Sequence, residues 1–396
     1  MPVLLVSVDD LRPGMFIVDT GASWIEHPYL YAKEGLIQSQ SEVTEIIDQG
    51  YAEAYYDPEQ SNISPAEPIS VTDANESHGS APVVSLSEEL QQAENTYTEC
   101  VNHVRKFMQE ARTGTIDLKA SGSLVEGIMD SVNRNADALT SLAKIKHYDE
   151  YTFAHCVNVS IFSIAFAKFL GFDQRKIYLL GLAGLFHDLG KMWVPVEILN
   201  APRRLTDEEF AIMKTHARLS RDALTSVKGI EPEIVLGAGQ HHERHDGSGY
   251  PDQLVGSNIS PFGRILSVVD CYDALSAKRV YKDAMPPTKA LSIMFEMRKG
   301  AWSPGLLETF IKMLGIYPVG TAVKLSSGFT GVIARNNPTS PLQPVAAVIM
   351  DPKGKNIAPP VAVDLAKNQS MKITEALSVS EATDIDSLAI LKSLQE

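Results

Sequence analysis

The sequence predicts a mainly α protein: a helical bundle preceded by a small N-terminal α/β module and followed by a short C-terminal β extension. Three observations predict it. From Ser87 onward apolar residues recur at helical spacing, beginning with the stripe Leu90, Ala93, Tyr97, Val101, Val104 and Met108. Before it, residues 3–58 alternate short strand-like runs with turns. After Pro318, Val- and Ile-rich runs sit between Gly and Pro turns.

The elements follow in order. Residues 3–8 read as a strand, and Leu11-Arg12-Pro13-Gly14 as a turn. Residues 41–47 read as a short helix and 50–56 as another strand, with Trp24, His27, Pro28 and Tyr29 in between. Residues 59–87 are rich in Ser, Pro, Glu and Asn and poor in large apolar side chains, which is the composition of a linker. The bundle occupies 88–316. Its second helix covers 121–142, with Val125, Ile128, Val132 and Leu139 on one face. The third holds His155, Val159, Phe162, Phe166 and Phe169 in register and closes at Gly171. Another carries Leu180, Gly184 and His187. Thr206-Asp207-Glu208-Glu209 is a capping box that starts the helix bearing His216. Pro232 marks a first helical position ahead of His241 and His242. Ser260-Pro261 starts the helix with Asp270 and Asp273, and Ser303-Pro304 starts a last one that Gly315 ends. The β extension covers 317–375, with Val323, Leu325, Val332, Ile333, 345–350 and 361–365 in strands and Asp351-Pro352-Lys353-Gly354 as a hairpin turn. Residues 376–396 form a polar tail with room for a short helix.

Composition narrows the function. A chain of 396 residues accommodates two or three domains with sizeable cores. Its 44% hydrophobic and 21% charged content is that of a soluble globular protein. A net charge of −14 without a basic patch argues against a nucleic-acid polymer as partner. A small anionic ligand stays open, because bound metal ions invert local charge. Cys100, Cys156 and Cys271 have no CxxC spacing, so they form neither a disulfide framework nor a zinc ribbon, and a reducing cytoplasm is expected. The start MPVLLVSVDDLRPG lacks the basic region and apolar length of a signal peptide. The apolar run 157–170 is interrupted by Asn158 and Lys168, so no membrane span is expected.

The chemistry lies in an ordered set: His155, His187-Asp188, His216, His241-His242 and Asp270. The groups are 25 to 32 residues apart, about one helix and a turn each. A metal site inside a helical bundle draws one or two ligands from each of several helices in this way. Singly, His155 or His216 reads as a hydrogen-bonded core histidine. Two adjacent histidines divide evenly between surface and ligand. His187-Asp188 is sharper: mid-helix neighbours point about 100° apart, so both can face one point only where the helix ends, and Gly190 marks such an end. Asp270 and Asp273 share a helix face, and for Asp273 capping or salt bridging weighs equally. Jointly the bland reading collapses. Seven of ten histidines lie between 147 and 245, and burying several imidazoles and carboxylates unpartnered would cost about several kcal/mol. His147 and His245 are expected at the surface or behind the ligands.

These residues also resemble a family. YTFAHCVNVS, GLFHDLGKMWVP, LTDEEFAIMKTHA, HHERHDGSGYP and RILSVVDCYDALSAKRVYK, within about 140–320, are similar to the HD-GYP domain, a branch of the HD-domain metal-dependent phosphohydrolases. LRPGMFIV, SWIEHP and the YYDP end resemble the domain of unknown function often found before HD-GYP domains, and the β extension also occurs in the family. The resemblance implies an HD-type bundle that hydrolyses cyclic di-GMP to pGpG, with a second cut to GMP left open, using divalent iron or manganese. It implies a first metal on His155, His187, Asp188 and Asp270, with Asp188 bridging to a second on His216, His241 and His242. Lys191 matches the lysine on the scissile phosphate, and Arg279 and Lys282 match substrate-binding positions. Gly249-Tyr250-Pro251 is the signature loop, placing Tyr250 at the pocket or at a partner surface such as a diguanylate cyclase domain; a homodimer is also open. Two departures stand out. Three-metal members carry a glutamate where this chain has Tyr151, so two metals are expected, Glu150 being about 100° round the helix. Ser220 stands where the family usually has glycine. The expected reaction is attack by a water activated between two metals about 3.5 to 4 Å apart, with Lys191 meeting the charge on phosphorus oxygens and Asp273 orienting a ligand or the water. The competing readings are a phosphodiesterase preferring 3′,3′-cyclic GMP-AMP, a non-catalytic receptor or scaffold for the dinucleotide, and a generic nucleotide phosphatase.

Overall fold

The computed structural model describes residues 3–18, 30–31, 33–48, 51, 53–62, 82–111, 117–145, 151–277, 285–337, 340–368, 370–378 and 380–394. The N-terminal module contains β1 (Leu4–Ser7), β2 (Phe16–Ile17), β3 (Leu30–Tyr31), β4 (Gly35–Leu36), α1 (Gln40–Asp48) and β5 (Glu53–Asp57). β5 is the hub: β1 and β2 pair with it antiparallel and β3 parallel, while β4 extends from β2. Val43 and Ile46 of α1 bury against Val8, Leu11, Ile17, Ile37 and Ala54. Trp24, His27, Pro28 and Tyr29 lie outside the described residues, as does 63–81.

The bundle begins with α2 (Leu86–Ala111), whose six-residue stripe is at most 1% exposed. α3 (Leu118–Ile145) is kinked at Asn135, where φ is −158° and ψ is 106°. The side chains explain how the break is tolerated. Asn135 Oδ1 accepts Asp137 N–H, Asn135 Nδ2 donates to Val84 O, and Lys168 Nζ donates to Val132 O. Then come α4 (Tyr151–Phe169), α5 (Gln174–Phe186), α6 (Val196–Leu199), α7 (Asp207–Thr225), α8 (Pro232–Gln240) and α9 (Pro261–Ser276). α4 is apolar all round, as the central helix of a core must be. Thr152–Phe169 is long and apolar enough to cross a membrane by composition, but 78% of it is buried inside the fold. The capping box forms as expected: Thr206 Oγ1 accepts Glu209 N–H, and the Glu209 carboxylate accepts Thr206 N–H.

Two expectations need correction. The helix α10 (Pro287–Ala301) is not foreseen by the sequence pattern, because only Ala290, Leu291, Met294 and Ala301 are buried along it. α11 (Leu306–Leu314) starts after Gly305, not at Ser303-Pro304: Gly305 has φ +76°, a left-handed N-cap that interrupts the run, and Ser303 Oγ contacts His245 Nδ1 instead of capping. The β extension is an antiparallel sheet of β6 (Ala322–Leu325), β7 (Thr330–Arg335), β8 (Val345–Met350), β9 (Asn356–Asp364) and β10 (Ile373–Ala376), in the order β10-β6-β7-β8-β9. Asp351 Oδ1 accepts the N–H groups of Lys353 and Lys355 and closes the β8–β9 hairpin. The tail ends in α12 (Ser387–Ser393), which packs on α2 through fully buried Leu391 and a Lys392–Glu94 ion pair.

Candidate metal centre

Local chain geometry presents both histidine pairs. α5 stops at Phe186, His187 is its C-cap, and Asp188 has left helical geometry with φ −97° and ψ 10°. α8 stops at Gln240 with His241 as C-cap. Neighbouring side chains can therefore converge, as the end signal at Gly190 led us to expect. His155, His187 and Asp188 form one buried group, and His216, His241 and His242 form a second.

The first group includes Asp270. His155 Nε2 lies 3.0 Å from Asp270 Oδ1, 3.5 Å from Asp188 Oδ2 and 3.3 Å from His187 Nε2. His187 Nε2 lies 3.2 Å from Asp188 Oδ2. In the second group His216 Nε2 lies 3.3 Å from His241 Nε2 and 3.1 Å from His242 Nε2. Asp188 connects the two, because its Oδ1 is 3.4 Å from His216 Nε2 while Oδ2 faces the first group.

Tautomers decide what these distances mean. Nδ1 of His187, His216 and His241 each faces a backbone carbonyl, of Gly184 at 2.7 Å, Met213 at 2.7 Å and Ala238 at 2.6 Å. Each Nδ1 is the donor, so each Nε2 of a neutral ring carries a lone pair. Burial lowers His216; burial, then the charges of His242 and His187, hold His241 well below its ordinary value; burial takes His242 down to about 3. These rings are neutral at pH 7, and the facing Nε2 atoms of His216 and His241 cannot hydrogen-bond each other. Two nitrogens bound cis to one ion at about 2.1 Å stand about 3.0 to 3.4 Å apart. The spacing is that of a ligand set. Asp188 Oδ1 is likewise buried with no hydrogen-bond partner among the described residues. The imidazole and carboxylate donors fit divalent transition metals.

The carboxylates are ionised. Burial opposes charge on Asp188, but Lys191 and His187 outweigh it and hold the carboxyl well below its usual range. Lys191 Nζ donates to Asp188 Oδ2 at 2.5 Å and keeps a fifth of its side chain exposed at the rim. Burial works against charge on Asp270 too, and hydrogen bonding to His155 prevails. Burial would lower His155, but the hydrogen bonds to Asp270 and Asp273 raise it to about 9. Asp273 does not face the open side of the site. Its Oδ2 accepts from His155 Nδ1 at 2.7 Å and its Oδ1 from Asn158 Nδ2 at 2.9 Å. Both oxygens are thus engaged behind the imidazole, which favours the expected role of orienting His155 over that of orienting a water.

Sequence reasoning missed the residues that brace the site. Ser220, expected only to affect packing, donates to His187 O at 2.7 Å and accepts Gly190 N–H at 2.8 Å. A Cβ on Gly190 would stand 2.0 Å from His216 O, so only glycine lets the His-Asp turn lie against α7. Glu243 accepts the N–H groups of Asp252 and Leu254 and pins the loop after the histidine pair. Gly249 is required there, since a Cβ would stand 2.3 Å from Arg244 N. The loop lays the Tyr250 ring 4.7 Å from the His242 ring at 34°, forming one wall of the site. The only prior signal for Glu243 was its place in HHE. His245 joins neither group and contacts Ser303. Arg279, Lys282, His147 and Glu150 lie outside the described residues, and nothing is described of the Tyr151 side chain.

Comparison with known proteins agrees with this geometry. Residues 131–303 match the family described as HD domain, 4–119 a domain of unknown function, and 322–384 a KOW domain associated with HD domain. The chain is 35% identical over 371 residues to a cyclic di-GMP phosphodiesterase of Pseudomonas aeruginosa, covering 91% of this chain and 89% of that one. It is 35% identical over 168 residues to a 3′3′-cGAMP-specific phosphodiesterase of Vibrio cholerae, covering 42% of this chain and 36% of the other. An HDG"Y"P protein of Bdellovibrio bacteriovorus superposes with TM-score 0.48 at 19% identity, covering 79% of this chain and 99% of that one. A bundle that brings a His-Asp pair together with a His-His pair is the architecture of an HD-domain, metal-dependent phosphohydrolase. Within that class, the chain belongs to the HD-GYP family.

Proposed function

We propose that the protein is a cyclic-dinucleotide phosphodiesterase that cuts cyclic di-GMP to pGpG, with 3′,3′-cyclic GMP-AMP the alternative substrate. The observation that carries this reading is the pair of neutral imidazoles, His216 and His241, whose Nε2 lone pairs face each other at 3.3 Å beside the buried Asp188, whose Oδ1 has no hydrogen-bond partner among the described residues. His155, His187, Asp188 and Asp270 hold one divalent ion, and Asp188, His216, His241 and His242 hold the other; iron or manganese suits the donors. When bound, the two ions supply Lewis acidity and an activated water at neutral pH. The chain's own groups do the rest. Lys191 places an ammonium beside Asp188, where it meets charge building on the non-bridging phosphate oxygens. Tyr250 offers a ring face at the wall, and Arg279 and Lys282 bind the substrate's phosphates. A homodimer, docking of a diguanylate cyclase domain at the Tyr250 loop, and a cytoplasmic location complete the proposal. The similarity to a 3′3′-cGAMP-specific enzyme keeps the mixed dinucleotide in view.

The test is anaerobic purification, metal analysis, and incubation with each dinucleotide in the presence of Fe(II) or Mn(II). Two metals per chain and a linear product are expected. Metal without product from either substrate moves the protein to the receptor reading. Absence of metal under reducing conditions overturns the site.

A further inference from the structure

A buried hydrogen-bond chain leads from the first metal group to α2, the helix that follows the linker. Asp273 is its first link and Asn158 its second. Asn158 Nδ2 donates to Asp273 Oδ1 at 2.9 Å and to Ala143 O, at the end of α3, at 3.1 Å. Those two acceptors fix the amide orientation, so Oδ1 faces the other way. There it accepts the Tyr97 hydroxyl of α2 at 2.7 Å. Tyr97 is fully buried, Asp273 is 2% exposed and Asn158 5%. One amide thus ties α2, α3, α4 and α9 together behind a single imidazole.

We infer that Asn158 and Tyr97 are positioning residues for the metal centre, acting through Asp273 on His155. The reasoning rests on the metal-centre reading above. Asp273 must hold His155 Nδ1–H so that Nε2, once a metal takes the place of its proton, would present a lone pair beside Asp188 and Asp270. A carboxylate bound on one oxygen only can swing about its χ2 torsion; Asn158 on the second oxygen stops it. The Tyr97 hydroxyl on Asn158 Oδ1 adds a third bond that holds the amide in that orientation. No water need enter, because every polar atom named has its partner within the chain. The arrangement makes ligand strength at His155 depend on the seating of α2, the helix nearest the N-terminal module in sequence.

The test compares wild type with Asn158→Ala and Tyr97→Phe. The second removes one oxygen and keeps the ring in the core. Mn(II) affinity is read by chelator competition on the full chain, with thermal melts of the metal-free proteins alongside. Loss of a group bonded directly to a ligating histidine weakens metal binding by about 10- to 100-fold; Asn158 stands one bond behind such a group, so about 10-fold is expected for Asn158→Ala and about 3-fold for Tyr97→Phe, one bond further out. If both variants release Mn(II) at the wild-type chelator concentration, the inference is overturned, even where the metal-free melts fall, because the chain would then be structural only. If wild type itself binds no Mn(II), the metal-centre reading fails instead.

Discussion

Gly190→Ala probes how closely the His-Asp turn must lie against α7. The added Cβ would meet His216 O at 2.0 Å and Ser220 N at 2.6 Å, whereas real Cβ contacts essentially never fall below 3.0 Å. Both obstacles are backbone, so no side chain can yield, and the turn must retreat by about 1 Å from α7. His216 is itself a proposed ligand, and its Nε2 stands only 3.4 Å from Asp188 Oδ1. The retreat therefore opens the bridge between the two groups. Overpacking of this kind costs about 1–3 kcal/mol of stability, and a 1 Å misplacement costs about 10²-fold in rate. The assay is metal content and phosphodiesterase turnover on the purified variant, with a thermal melt to show that it is folded. We expect a folded protein that retains the first ion better than the second and turns over about a hundredfold more slowly. Wild-type metal content and turnover in Gly190→Ala would refute the argument that this contact sets the ligand geometry.

Further predictions follow from the same structure. His187→Ala and Asp188→Ala should abolish turnover while the protein stays folded; near-normal rates in either would remove the metal centre from the chemistry. Arg279→Ala should raise KM with little change in kcat, and a change confined to kcat would argue against ground-state binding. Stripping metal with a chelator should lower Tm, because a ligand present at about 1,000 times its Kd contributes about 4 kcal/mol; an unchanged melt would mean that the site is filled in neither state. Burial raises the Asp137 pKa from 3.8 to about 6, against the opposing pull of the Lys144 charge. A carboxyl raised on folding favours the folded state at low pH and loses that advantage as pH rises through about 6. Asp137→Asn should therefore stabilise the protein by about 1–3 kcal/mol at pH 8 and much less at pH 5, read from urea midpoints at the two pH values. Equal effects at both would show that ionisation at this position does not govern the difference.

Much of the fold was legible because its signals are local. The α2 stripe, the Thr206 capping box, Pro232, Ser260-Pro261 and the Asp351 hairpin are decided by residues within a few positions of each other. α10 was not, because its buried face is thin, and α11 began late because a left-handed Gly305 broke a run that composition alone extends. The linker and N-terminal module follow the same rule where they are described: β5 starts at Glu53, later than the apolar pattern implies, since pairing with β1 sets its length.

By itself, the sequence determined which residues gather as candidate metal ligands: helix spacing put imidazoles and carboxylates on core-facing positions where a metal makes burial reasonable. Only the tertiary structure decided how they share the work. That Asp188 faces both groups and that Asp273 stands behind His155 depend on contacts across helices, whereas the Nδ1 protons of His187, His216 and His241 are committed locally, each to a carbonyl three residues back, of Gly184, Met213 and Ala238. Ser220 and Tyr97 read as packing in one dimension, and Asn158 as a break in an apolar run, because a hydroxyl or amide shows its partners only when the helices close around it.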